Sequence, residues 1–171
     1  MWPHIDLTGV LGEAAPVRRN SANDVETGLM LVSQLLRTKG DLVFTAAPGD
    51  TVAAVAALLL ARRVGALVVQ DAERVAGIVS ERDIVRIIAE QGAGALDRPV
   101  SDCMTKDVLF AEPHETLDEL LTRMTDRRVR HLPVCNNERL VGILSIGDLV
   151  KWKISEVEAE ASGLKAYIAA G

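Results

Sequence analysis

Apolar positions along the chain switch between two periods, and the switching predicts the elements. Val43-Phe44-Thr45, Ala66–Gln70 and Val75–Val79 are short β-branched or apolar runs bounded by turn residues, the signature of strands. Between the first two lies a stretch whose apolar residues predict a helix over 51–63, and Ser80-x-x-Asp83 opens a second helix. The same order returns downstream: strands at Val108-Leu109-Phe110, His131–Cys135 and Leu140–Leu144, a helix over 116–128, and another opened by Ser145-x-x-Asp148. Pro48 and Pro113 end the first strands. Acidic Asp50 and Glu115 stand where a helix N-terminus favours negative charge. Asp71-Ala72 and Asn136-Asn137 suit the hairpin turns. Each unit therefore reads β-α-β-β-α, an α/β (α+β) layer whose helices cover a small sheet.

The two units are copies. Residues 43–86 align on 108–151 without a gap, at a constant offset of 65 residues, with about a third of the positions identical. Pro48 falls on Pro113, Thr51 on Thr116, Arg62-Arg63-Val64 on Arg127-Arg128-Val129, and Gly77-Ile78 on Gly142-Ile143. A unit this short closes a core poorly by itself, so two copies packed face to face form the expected folding unit. A site between them is expected to be approximately duplicated.

The expected organisation is a leader with the start of an N-terminal helix (1–29), repeat 1 (30–95), repeat 2 (96–153) and a C-terminal helical extension (154–171). Asn23 or Asp24 is a candidate cap for a helix carrying Val25, Leu29, Val32 and Leu36, and Met30 is an alternative start residue. Gly92-Ala93-Gly94-Ala95 breaks the last helix of repeat 1. Val150, Ile154, Val157, Ala161, Leu164 and Ile168 alternate spacings of four and three, a heptad seam with Glu156, Glu158 and Glu160 beside it. It either docks locally or pairs two subunits. The helix from Val52 to Ala61 has Ala53, Ala54, Ala57 and Leu58 where repeat 2 has Asp118, Glu119, Thr122 and Arg123. Tight internal packing and a subunit contact explain this equally well. Both features make a homodimer the expected assembly.

Composition narrows the function. A net charge of −5 and two Phe, two Trp and one Tyr in 171 residues argue against a nucleic-acid partner and against anionic membrane surfaces. The longest apolar run, Val52 to Ala61, is half the length a spanning helix needs, and the N-terminus has no signal-peptide pattern, so a cytoplasmic location is the default. Cys103 and Cys135 are isolated, and His4, His114 and His131 have no metal-ligand spacing with them, so no metal is expected. No nucleophile–base pairing, Walker loop or Gly-x-Gly-x-x-Gly is present, so no catalytic residues and no enzyme activity are expected.

Ser80-x-x-Asp83 and Ser145-x-x-Asp148 each admit two readings. One is structural: a Ser followed three residues later by an acid closes a capping box. The other is chemical. A carboxylate at the mouth of a cleft between repeats can accept hydrogen bonds from vicinal ribose hydroxyls, and the adjoining helix N-terminus favours a phosphate.

The duplicated Gly-h-h-Ser-x-x-Asp after an apolar strand, with Arg130-His131-Leu132-Pro133-Val134 and the paired β-α-β-β-α units, resembles cystathionine-β-synthase-type (CBS) domains, two of which form a Bateman module. The resemblance spans about residues 30 to 153 and is nearest to bacterial CBS-pair proteins, some labelled as related to inosine-5′-monophosphate dehydrogenase. It implies a regulatory module binding AMP, ADP, ATP, NAD(H) or S-adenosylmethionine between the repeats. By position, it implies Asp83 and Asp148 at ribose hydroxyls, Ser80 and Ser145 at ribose or phosphate, and Arg82, Arg130 and His131 at phosphate. The copies diverge here: Gly65 and Ala66 stand opposite Arg130 and His131, and Gly147 opposite Arg82. One strong and one weak or empty site is therefore expected. The alternative is a degenerate pair that serves as a dimerisation scaffold without ligand.

Overall fold

The computed structural model describes residues 29–170. Its order is α1 (Val32–Lys39), β1 (Thr45–Ala46), α2 (Val52–Arg62), β2 (Ala66–Asp71), β3 (Arg74–Ser80), α3 (Glu81–Gln91), two 3₁₀ turns (Gly92–Asp97 and Val100–Asp102), α4 (Leu117–Arg127), β4 (His131–Asn136), β5 (Arg139–Ser145) and α5 (Ile146–Ala170). Thr51 and Thr116 cap α2 and α4, each hydroxyl accepting from the backbone N–H three residues on. Arg63 and Arg128 end those helices in the left-handed conformation, the same strained exit in both copies.

The hairpins are duplicated in detail. β2 pairs antiparallel with β3 and β4 with β5, and the register slips at Val69/Gln70 in one and at the equivalent Val134/Cys135 in the other. The turns lie one residue later than the sequence suggests, with positive φ at Ala72 and at Asn137 and Glu138.

The first strands are shorter than expected. In repeat 1 only Thr45 and Ala46 pair, parallel to Val68 and Val69, while Val43 and Phe44 lie before the strand. In repeat 2 no strand forms at Val108-Leu109-Phe110; a single bridge joins Ala111 to Val134. The cause is Pro133. In repeat 1 the N–H of Val68 donates to the carbonyl of Phe44 at 3.4 Å. The equivalent of Val68 is Pro133, which has no N–H to offer Leu109. Only the flanking bonds survive: Ala111 donates to Pro133, and Cys135 donates to Ala111, both at 2.9 Å.

Two cores result, one per repeat. Val55, Leu59, Leu67, Val69, Val79 and Ile87 fill the first. Leu117, Leu120, Met124, Leu132, Leu144 and Leu149 fill the second. Each such side chain removed from water contributes about 1.5–3 kcal/mol before entropy is counted.

The supporting segments are crossed. α1 opens repeat 1 in the chain, yet its Val32 and Leu36 belong to the core of repeat 2, and Val32 and Ser33 donate to the carbonyls of Glu115 and Pro113. The inter-repeat segment serves repeat 1 in the same way: Ala95, Val100 and Cys103 enter its core, and Val100 and Ser101 donate to the carbonyls of Asp50 and Pro48. α1 starts only at Val32, because Leu31 is held in a bridge to Thr116; Leu29 is therefore outside the helix. The capping residues proposed at 23 and 24 lie outside the described residues, as does the leader before them.

α5 runs unbroken through Gly163. Its first turns pack on repeat 2 through Leu149 and Trp152, and Lys153 bonds Asp118 of α4 at 2.9 Å. Its apolar row does not dock on the described chain and faces solvent. Of α2, Val52, Val55 and Leu59 are buried, while Leu60 is exposed and Ala54 and Leu58 are only half-covered.

Candidate functional site

Both Ser-x-x-Asp motifs sit where a strand becomes a helix, and both close the capping box. Asp83 Oδ2 accepts from the Ser80 backbone N–H at 2.9 Å and from its hydroxyl at 2.6 Å. Asp148 Oδ2 repeats this with Ser145 at 2.8 and 2.7 Å. The helix starts are tied down alike, since Glu81 donates to the Gly65 carbonyl and Ile146 to that of Arg130. The structural reading of the motif is therefore realised in both copies. A carboxylate has about four acceptor positions, however, and the box uses only two.

What fills the remaining positions differs. Asp83, only 7% exposed, holds Arg86 of its own helix at 2.8 Å through Oδ1, and Arg86 also donates to the Cys103 carbonyl. Asp148 is held by Lys39, which reaches across from α1: Nζ lies 2.5 Å from Oδ2 and 3.0 Å from the Ile143 carbonyl. Burial works to raise the Asp148 pKa. Hydrogen bonds from Lys39 and Ser145 outweigh it and leave the carboxyl below its ordinary range.

A cleft of about 360 Å³ lies between the repeats. Ser80, Arg82 and Asp83 of repeat 1 line it together with Arg130 and His131 of repeat 2. Ser145 and Asp148 are not among its lining residues, so five of the seven residues singled out by sequence are brought together and two are placed elsewhere. The lining also includes Arg127 and Arg128 from the end of α4, and Thr105 and Asp107 from the linker, none of which the sequence reading chose. The run Arg127-Arg128-Val129-Arg130, three guanidinium groups in four residues, was the available signal for the first two. With Arg82, four arginines border the cleft, all exposed and able to meet an anion.

His131 is not a second cation there. Burial, then the charges of Arg130 and Lys39, push its pKa down, against the opposing pull of Asp148 and Glu81. The imidazole is neutral at pH 7 and offers one N–H. Its ring lies against Gly65, where a Cβ would come within 3.2 Å of Cε1. The absence of a side chain at Gly65 is what makes room for this histidine.

The two cysteines are free thiols. Cys103 is buried, Cys135 is partly so, and burial pushes both thiols up, away from the reactive thiolate. Among the described residues no cluster of His, Cys, Asp and Glu is arranged to hold a metal ion, and no helix is long and apolar enough to cross a membrane.

Comparison with known proteins places this architecture. The family model "CBS domain" matches residues 39–90 and 100–155. The chain is 35% identical over 127 residues to the CBS domain-containing protein CBSX3, mitochondrial, of Arabidopsis thaliana, covering 71% of this chain and 62% of that one. It thus spans somewhat less than two thirds of that relative's length. Among solved structures, the CBS-domain containing protein ATU1752 from Agrobacterium tumefaciens is 45% identical with a TM-score of 0.71, over 72% of this chain and 99% of that chain. The CBS domain pair of protein MJ0100, solved in complex with 5′-methylthioadenosine and S-adenosyl-L-methionine, shares the fold with a TM-score of 0.67 at 22% identity, over 75% of this chain and 98% of that chain. With two matched copies of β-α-β-β-α architecture, the chain belongs to the CBS domain family as a CBS pair, a regulatory module and not a catalytic domain.

Proposed function

We propose that this CBS pair is a sensor of adenosine-containing nucleotides, with AMP, ADP and ATP as the first candidates and NAD(H) as a further one. The observation that carries the reading is the cleft. It brings the buried carboxylate of one repeat against the arginine-rich edge of the other, in a volume within the range of small-ligand pockets. Asp83 and Ser80 would meet the ribose, Oδ1 of Asp83 having an acceptor position left beside Arg86. Arg82 and Arg130, with Arg127 and Arg128, would meet phosphate, and neutral His131 would donate one hydrogen bond. The bound adenosyl ligands of MJ0100 support the ligand class.

The junction at Ser145 and Asp148 is the weaker site in this reading. Its copy of the basic pair is Gly65 and Ala66, and Lys39 already occupies its carboxylate. The assembly we propose is a cytoplasmic homodimer whose subunit contact transmits the ligand's effect; the half-covered α2 and the exposed row on α5 support it. The scaffold alternative requires a cleft that binds nothing. A thermal-shift screen with AMP, ATP, NADH and S-adenosylmethionine decides between them. A ligand at a hundred times its dissociation constant adds about 2.7 kcal/mol, whereas four flat profiles would favour the scaffold.

A further inference from the structure

From Val150 on, α5 carries an apolar row left exposed by the described chain. Val150, Ile154, Val157, Leu164 and Ile168 are between 44% and 69% exposed, and Ala161 is exposed with them. Their spacing puts Ile154, Ala161 and Ile168 at heptad position a, and Val150, Val157 and Leu164 at d. Isoleucine at a with leucine at d, the pairing at Leu164 and Ile168, favours two strands over three or four. A row of this length on an isolated chain is an association liability.

The flanking charges say what covers it. Lys151, Glu158 and Lys165 stand at e, and Lys153 and Glu160 at g. In a parallel pair of α5 helices, each g faces the next e of the partner, so Glu160 meets Lys165 and Lys153 meets Glu158. In an antiparallel pair with the seam fully overlapped, e faces e and g faces g. Glu158 then meets Glu158, Glu160 meets Glu160, and Lys151 meets Lys165. One orientation makes these flanking contacts attractive and the other makes them repulsive.

We propose that α5 pairs with α5 of a second copy as a parallel two-stranded coil, which sets the two subunits side by side with the same polarity. This rests on the homodimer reading above and adds its geometry. Lys153 is already held by Asp118 and Glu156, at 2.9 and 2.7 Å, so Glu160 and Lys165 form the cleaner reporter pair.

The test uses the full chain with Cys103 and Cys135 replaced by alanine, carrying either Ile154→Cys or Leu164→Cys. In the parallel coil each variant forms a disulfide with its own kind under mild oxidation, and a mixture of the two gives no mixed product. In the antiparallel pair the two like positions are about 15 Å apart along the axis, at 1.5 Å per residue, and only the mixed product forms. Glu160→Lys should weaken the dimer roughly tenfold by sedimentation, and adding Lys165→Glu should restore it. A mixed product alone, or a double variant no better than the single one, overturns the parallel coil. A dimer by light scattering with no cross-link at either position overturns it too while the homodimer reading survives; a monomer sinks both.

Discussion

Lys39 and Asp148 stand 109 residues apart and meet at 2.5 Å, joining α1 to the strand–helix junction of repeat 2. The equivalent carboxylate, Asp83, is held by Arg86 from three residues along its own helix. Two copies of one motif are thus neutralised from different places, one locally and one by a distant segment. Lys39 also donates to the Ile143 carbonyl. In repeat 1 the equivalent Ile78 carbonyl receives the backbone N–H of Thr105 instead. A side-chain ammonium therefore does in repeat 2 what a linker peptide does in repeat 1.

Replacing Lys39 by Met should lower stability near neutral pH and flatten its acid limb, so that the two proteins converge at low pH. Asp148 has a depressed pKa in the folded protein, so its contribution is present above the unfolded value of about 3.9 and is lost as pH falls through the folded one. Without Lys39 the folded pKa moves back toward the unfolded one, so less stability is left to lose over this window. Both side chains are partly exposed, so the cost at neutral pH should be only about 1 kcal/mol or less. Urea midpoints measured between pH 3 and 7 test this, and identical curves for both proteins would refute it.

Arg130→Ala should weaken AMP roughly tenfold while leaving adenosine nearly unchanged, because only AMP presents an anion to the guanidinium edge. Asp83→Asn should weaken both ligands, since both carry the ribose diol; a tenfold loss corresponds to about 1.4 kcal/mol. Asp83→Asn is preferable to Asp83→Ala, which would remove the capping box altogether. Calorimetry in which Arg130→Ala weakens both ligands equally would assign that residue to the strand and not to phosphate.

Acidification should destabilise the protein through His131. Its folded pKa lies below the ordinary value of about 6.5, so its contribution is intact above that value. As pH falls below it, the unfolded chain takes up a proton first, and stability declines until the folded pKa is reached. His131→Gln should flatten this part of the profile. An imidazole that titrates at or above 6.5 by NMR would contradict the assignment.

Two equivalent glycines should respond unequally to alanine. A Cβ on Gly77 would lie 2.9 Å from the Thr105 backbone carbonyl and 2.7 Å from Met104 Sδ. On Gly142 the nearest atoms are the Leu36 methyls, at 2.7 and 2.8 Å, which a rotamer change can withdraw. Overpacking costs about 1–3 kcal/mol, with Gly77→Ala at the upper end and Gly142→Ala at the lower. Chemical denaturation of both variants gives the comparison; equal costs would mean that the linker yields as readily as a side chain.

The repeat, the hairpins, the capped helices and the motif were legible because each depends on residues close in sequence. Thr51 and Thr116 announce α2 and α4 through their own side chains, and the Ser-x-x-Asp boxes need only three residues of spacing. The lost strand of repeat 2 was less accessible. Pro133 was visible, but its effect depends on which N–H its partner requires, and that follows only from the register. Lys39 gave no local sign of its role, because its contact is made by the docking of α1 on the other repeat. Arg127 and Arg128 line the cleft from the end of α4, which closes in a left-handed turn at Arg128, a conformation that side-chain chemistry does not announce there.

The crossed support of the two cores bears on what can be cut from this chain. A fragment ending near residue 91 would keep repeat 1 but lose Ala95, Val100 and Cys103 from its core. One beginning near residue 105 would lose Val32 and Leu36 from the other, along with Lys39. Neither repeat completes its core without a segment from the other part of the chain. The pair should melt as one cooperative body, and transplantation into another protein, or exchange between relatives, should succeed only when α1, both repeats and the linker travel together.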